Sequence, residues 1–423
     1  MYHCLDLYKI IFQYLTFMDK HKYRIINKQL NKINITDLLD IPVDYACKFT
    51  EKILKNYKYA TKLCIYYYVK ITDVNYLENL KELIICNNSI KNDGIKNCKK
   101  IEILKLLGIL NVNIHDLTNL KELDMCHNKI YQPDIVKCTN LEILKIYGKS
   151  YITDLNHLTN LKKIYHSGEY TIDNNSIQNC TNLEYLEIYN NNKIFDVNHL
   201  TNLTYLSING CNFNNDGFRK CSKIKILDIE GNKQIDDINF LTNLEELNAQ
   251  NSNMTTYGII NCRSITSLDI SVNFGITMIS HLTNLKSLYI CGDCGINDDE
   301  LKLCTSIENL DISGNIKIKN IDHLHNLTEL SIRGNSIGDD NIKYCKKLEI
   351  LDAMNNKNIT NVNHLKKLTK LIADCDCGIT NDGFIGCEKL KEIYYLSNPR
   401  IKLSYDDHKK YNNNNLTNCR DYV

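Results

Sequence analysis

The chain has 423 residues, with 51 Lys and Arg against 50 Asp and Glu for a formal net charge of +1. Both signs are spread along it, so no long-range field draws it to nucleic acid or to an anionic membrane. Nowhere do about 18 apolar residues run uninterrupted, so no membrane span is expected. Its 19 cysteines, an odd number, suit a reducing compartment, and a cytosolic or nuclear protein is expected.

The first fifteen residues carry Asp6 and Lys9 inside an apolar stretch, without a basic start or a small-residue cleavage site. No signal peptide is expected. Leu5, Leu7, Ile10, Ile11, Phe12 and Leu15, then Tyr23, Ile25, Ile26, Leu30 and Ile33, are spaced for two or three short amphipathic helices. Residues 1–40 therefore read as a helical module. After Ile41-Pro42, the apolar Val43, Ala46, Phe49, Ile53 and Leu54 make 41–59 a connecting helix or cap.

From about 60 to 400 the chain repeats itself. Cys98, Cys138, Cys180, Cys221, Cys262, Cys304, Cys345 and Cys387 stand 40 to 42 residues apart, and midway between them Leu takes the same place, as at Leu200. The true unit is thus about 20 residues. Its first apolar residue, the phase residue, runs from Leu80 to Leu390 in steps of 19 to 22, with Ala60 starting one unit more. Each unit continues as in Leu183-Glu-Tyr-Leu186-Glu-Ile188, a period-two strand signature, and often carries Asn eight places after the phase residue. This is the leucine-rich repeat pattern, about 16 or 17 units in all. It implies an α/β solenoid, a horseshoe with a parallel sheet on its concave face. The Asn residues should form a ladder that satisfies turn backbone in adjacent coils, with Cys211 and Asp293 as variants and a weak rung at Lys149.

Two unit types alternate. One, as in 191–200, has too few residues for a full helix and predicts a short 3₁₀ turn. The other, as in Asn92-Asp93-Gly94-Ile95-Lys96-Asn97-Cys98, can start a short helix at Asn-Asp. This Asp-Gly-Ile-x-x-Cys unit resembles the cysteine-containing repeats of F-box proteins, and the His-Leu-x-x-Leu units resemble the shorter internalin type. Tyr8-Lys-Ile-Ile-Phe12-Gln-Tyr-Leu15 and Tyr23-Arg-Ile-Ile-Asn-Lys-Gln-Leu30-Asn resemble an F-box, with Leu5-Asp6-Leu7 where the family opens on Leu-Pro. The resemblance to F-box/leucine-rich-repeat proteins implies that Leu7, Ile10, Ile11, Phe12 and Leu15 dock a Skp1-like adapter. The repeats would then present a protein substrate to a cullin-type ubiquitin ligase. The composition also resembles that of such proteins from amoeba-infecting giant viruses, which implies a host adapter. The alternative is a plain repeat scaffold whose first residues only cap the solenoid.

Little catalytic chemistry stands out, and neither cofactor nor metal is expected. A site that accepts Leu in alternate units is a buried apolar site, so the spaced cysteines read as core. Cys291-Gly-Asp-Cys294 and Cys375-Asp-Cys377 lie too far apart in a stack of strands to share a metal. His157, His199, His281, His323 and His364 recur singly and suit turn hydrogen bonding.

The informative variation lies two, four and six places after the phase residue, where side chains alternate outward from the core leucines. Tyr147, Tyr165, Tyr185, Tyr189 and Tyr205, flanked by Lys105, Lys145 and Lys163, make a basic-aromatic half of the concave face. Asp228, Asp269, Asp311 and Asp352 make an acidic one. Together they are expected to bind a protein partner, tyrosine being enriched where binding energy concentrates. Residues 401–423 leave the repeat as a C-terminal cap and tail.

Overall fold

The structure, a computed structural model, describes residues 37–38, 51–55, 59–65, 71–86, 90, 93–108, 112–126, 130–148, 150–168 and 172–403. They fall into two compact units, the first ending at Leu203 and the second beginning at Thr204. The expected F-box-like helices at residues 5–33, with Leu7, Ile10, Ile11, Phe12 and Leu15, and the tail beyond 403 lie outside the described residues.

Each phase residue is followed two places later by a parallel strand, including the unit begun by Ala60. In the first unit these run from Lys62–Ile65 through Glu82–Ile85, Ile103–Leu107, Glu122–Cys126, Ile143–Tyr147 and Lys163–Ser167 to Tyr185–Tyr189. The second unit stacks ten strands, from Tyr205–Ser207 to Glu392–Tyr394. Register is locked to the repeat, with Leu104, Leu123, Leu144, Ile164 and Leu186 opposite one another and all buried. Slipping one strand by a single residue would turn this row to solvent, so burial holds the register.

One expectation changes at the amino end. Asp37–Leu38, placed by the sequence inside a helical module, is a strand parallel to Lys62–Leu63. It covers backbone that the first coil would otherwise leave unpaired. Of the connecting helix, Glu51–Leu54 is described. Glu51 Oε1 accepts from the Thr72 amide and hydroxyl, both at 2.7 Å, and Leu54 is buried, so this turn caps the first coils.

The two coil types differ as the spacing suggested. Cysteine-type coils carry short helices, such as Asp298–Leu301 and Asn215–Phe218. The leucine-type stretch 191–200 carries no helix; the expected short turn is there as one i→i+3 bond, the Leu200 amide donating to the Val197 carbonyl at 2.8 Å, and side chains close the rest. There Asn191 Oδ1 accepts from the Lys193 amide at 2.8 Å, and Asp196 Oδ1 from the Asn198 amide at 2.9 Å. Among the described residues no helix is long and apolar enough to cross a membrane.

Three polar rows stitch the coils. Buried Asn232, Asn273, Asn335, Asn356 and Asn398 each donate Nδ2 to carbonyls of the preceding coil, while Oδ1 accepts amides of their own turn. The variant at Asp293 is corrected: its carboxylate is exposed and pairs with Lys317 at 2.7 Å. The ladder site goes to buried Cys294, whose Sγ accepts from Asn315 Nδ2 at 3.3 Å. A thiol enters a dry interior at far less cost than a carboxylate. Asn88, Asn128 and Lys149 lie outside the described residues.

The spaced cysteines are core residues, as their exchange with leucine implied, and they do more than fill space. In Cys98, Cys138, Cys180, Cys262 and Cys387 the thiol donates to the carbonyl of Val74, Ile114, Leu155, Ile238 and Val362 in the coil before, at 3.1 to 3.9 Å. Cys304 and Cys345 bond elsewhere. Burial pushes Cys98, Cys138, Cys180 and Cys262 up to about 12, so they stay protonated donors. The histidine row answers from the other coil type. His157, His199, His281, His323 and His364 donate Nε2–H to Ile135, Ile177, Ile259, Leu301 and Ile342, at 3.0 to 3.3 Å. Each acceptor lies three residues before a cysteine of the row.

Three core and turn positions break the rules that the other coils keep. The residue seven places after the phase residue is left-handed from Asn190 to Cys375, and it is Gly or Asn everywhere but Val272 and Cys375. Val272, at φ 55°, is β-branched and forced against its carbonyl, a strain of roughly 1–2 kcal/mol. Val272→Gly should therefore raise the stability of the second unit by about 1 kcal/mol, read as a higher urea midpoint. The third exception is His166, which takes the inward place that Ile146 and Ile188 hold in the neighbouring strands. It is 1% exposed, and no other residue among those described bonds either ring nitrogen.

Candidate functional site

Alternation sets every second strand residue outward, and strands such as Ile143–Tyr147 show it as half-buried residues flanking buried ones. In the first unit, pairing brings Lys105, Asp124, Lys145, Tyr165 and Glu187 into one row, with Glu122, Ile143, Lys163 and Tyr185 beside it. The Tyr165 and Tyr185 rings lie 4.6 Å apart at 34°. Lys145 Nζ sits 5.2 Å from the Tyr165 ring centre, Lys163 Nζ 6.0 Å from that of Tyr185, and the Tyr185 hydroxyl donates to Glu187 at 2.8 Å. Tyr147 and Tyr189 lie at the strand ends, the latter half exposed.

The expected basic character of this half needs correction. Glu122 accepts ion pairs from Lys105 at 3.5 Å and Lys145 at 3.7 Å, so the lysines are answered within the face. Asp124 lies between them, its carboxyl raised by burial against the opposing pull of Lys145 and Lys105, and its Oδ1 is unbonded. Glu122, Asp124 and Glu187 were missed as site residues. Counting two and four places from Leu120 and Leu183 finds all three.

Tyr205 belongs to the second unit, opposite Ile226. The predicted aspartates do share one row there, Asp228, Asn248, Asp269, Tyr289, Asp311, Ser331 and Asp352 in strand order. Each aspartate uses Oδ1 to accept the amide two residues on, at 2.9 to 3.1 Å, closing the turn after its strand. Asp352 also takes Arg333 at 2.6 Å. Asp228 Oδ2 accepts from the Ser207 hydroxyl at 3.3 Å and the Asn209 side-chain amide at 3.1 Å, so the second oxygen of Asp269 and of Asp311 is what remains. Among the described residues no three His, Cys, Asp or Glu side chains converge to hold a metal ion.

No family model and no curated protein matches the chain. Solved structures do. An internalin of Listeria monocytogenes aligns at 24% identity and a TM-score of 0.50, over 69% of this chain and 86% of its own. A leucine-rich-repeat protein of Leptospira interrogans aligns at 21% and 0.53, over 82% and 91%. The fold is a leucine-rich-repeat solenoid. A third relative, the functional domain of the Listeria internalin InlJ, described as including a cysteine ladder, aligns at 22% and 0.50, over 68% of this chain and 65% of that one. At such identities the likeness shows the repeat architecture alone and carries no residue role across.

Proposed function

We propose that this leucine-rich-repeat chain is a protein-binding scaffold, with a contact surface in its first unit centred on Tyr165 and Tyr185. The observation that carries the reading is their tilted ring pair in contact, each ring under a lysine and one hydroxyl fixed by Glu187. Tyrosines already held in place lose little conformational freedom on binding, and they present both apolar area and a polar tip. The asparagine, histidine and thiol rows are engaged in joining coils, which supports binding rather than catalysis. Affinity capture from the native cell with the full chain, compared with its Tyr165→Ala/Tyr185→Ala/Tyr189→Ala variant, tests this. Partners captured by the wild type alone are expected, and an unchanged set of captured proteins refutes the site.

The narrower reading is a cytosolic ubiquitin-ligase adapter whose first 40 residues hold a Skp1-like protein. Its support is the sequence resemblance at Leu7, Ile10, Ile11, Phe12 and Leu15. The same capture with Ile11→Asp/Phe12→Asp separates it from the plain scaffold: Skp1 must be present with the wild type and lost with the variant.

A further inference from the structure

We infer that the outward sheet face of the second unit docks an extended, basic segment of a protein partner, one with Lys or Arg at about every third position. This rests on the protein-binding reading and adds a second, chemically distinct surface to it. Six carboxylates, Asp228, Glu230, Glu246, Asp269, Asp311 and Glu329, stand at outward places of coils joined strand to strand. No Lys or Arg shares those places until Arg333, and Arg333 is already bound to Asp352. None of the six is in an ion pair among the described residues, whereas in the first unit Glu122 answers Lys105 and Lys145. A chain of net charge +1 has cations enough to neutralise the face and places them elsewhere.

The carboxylates feel one another. Burial raises Asp269, and Asp311 and Asp228 raise it further; Glu230 is raised by burial and then by Asp228 and Asp269. A cation laid on the face relieves both costs at once. The spacing selects its form. Asp228, Asp269 and Asp311 lie in one row, each two strands from the next, roughly 10 Å apart. A polyproline II segment, extended and with three residues per turn, advances about 9 Å per turn and returns every third side chain to the same face. A segment crossing the strands with a basic residue at every third place therefore meets each aspartate in turn. Tyr289, between Asp269 and Asp311 in that row and 37% exposed, offers an aromatic contact to an intervening cation.

The test uses the full chain and three fluorescein-labelled peptides of about twelve residues. One is a Lys-Ser-Gly repeat, one has the same composition with its lysines in a block, and one is a Glu-Ser-Gly repeat, all followed by fluorescence anisotropy at low and high salt. The variant is Asp228→Asn/Asp269→Asn/Asp311→Asn. Asparagine keeps the turn-closing oxygen, as Asn248 does natively by accepting the Gln250 amide at 3.0 Å. The periodic basic peptide should bind at least about tenfold more tightly than the acidic one, weaken with salt, and lose about tenfold or more on the variant. It should also exceed the blocked peptide. Absent binding at low salt, equal affinity for the acidic or blocked peptide, or undiminished affinity of the variant overturns the inference. Tyr165→Ala/Tyr185→Ala should leave this binding unchanged. Failure here with intact tyrosine-dependent capture sinks the second surface alone, and the reverse result sinks the first.

Discussion

Replacing His166 by isoleucine should remove an acid sensitivity from the first unit and leave it more stable at every pH. The imidazole sits where its neighbours carry Ile146 and Ile188, 1% exposed and bonded by no other described residue. Burial lowers its pKa to about 4 against an opposing bond to its own backbone, and no charged group contributes to the shift. The inward residues of the adjoining strands, Leu144, Ile146, Leu186 and Ile188, do not titrate, so nothing compensates a proton there. The folded pKa is therefore below the unfolded value near 6.5. Above that value neither state is protonated and the group contributes no pH dependence. As pH falls from 6.5 towards 4, the unfolded chain takes up the proton first and the fold loses on the order of 3 kcal/mol. Urea unfolding followed by circular dichroism between pH 7.5 and 4 should show the gap between His166→Ile and wild type widening by that amount. The difference also isolates His166 from His281 and His364, lowered in the same direction, and from the raised Asp269 and Glu230, which act oppositely. A gap that stays constant across this range would falsify the assignment.

The second large effect concerns one rung of the asparagine ladder. Asn273, fully buried, donates to the Ala249 and Ser252 carbonyls and the Ser252 hydroxyl, and accepts the Gly275 and Ile276 amides, both at 3.0 Å. Leucine matches its size and offers none of these bonds. Asn273→Leu leaves several buried backbone groups unpaired and should cost about 3–5 kcal/mol. Asn273→Ser should cost less, because Ser252 already holds the equivalent place by donating to the Ala249 carbonyl at 2.8 Å and accepting the Met254 amide at 3.2 Å. Hydrogen exchange gives the local readout: the Gly275 and Ile276 amides should lose protection in the leucine variant first. Equal urea midpoints for leucine variant and wild type would show that the ladder carries little stability.

The strands were legible because their signal is strictly periodic: a phase residue followed by two inward apolar places survives any choice of surface residue. The histidine and cysteine rows were legible as recurrences, but their acceptors were not. A carbonyl carries no sequence label, and the partner of His199 lies 22 residues back. Asp293 misled for a related reason. Counting places the carboxylate on the ladder, while the cost of burying a charge gives the site to the neighbouring thiol of Cys294. On the sheet face, Glu122 and Asp124 were as legible as the tyrosines and lysines, since the same count reaches them. His166 was legible too, as a lone imidazole in a column of Ile and Leu. The Asp37–Leu38 strand was not, being two residues long and owing its form to the edge it covers.

The alternation of thiol and imidazole between coils also restricts how such a chain can change length. A thiol of one coil type reaches a carbonyl of the other, and the imidazole returns the bond in the next coil. Duplicating or losing a single coil would set two coils of one kind side by side, with a donor facing the wrong loop. Gain or loss of two coils, 40 to 42 residues together, keeps every junction as it was. The heritable module is thus the pair, and viable variants of this architecture should differ in length by whole pairs.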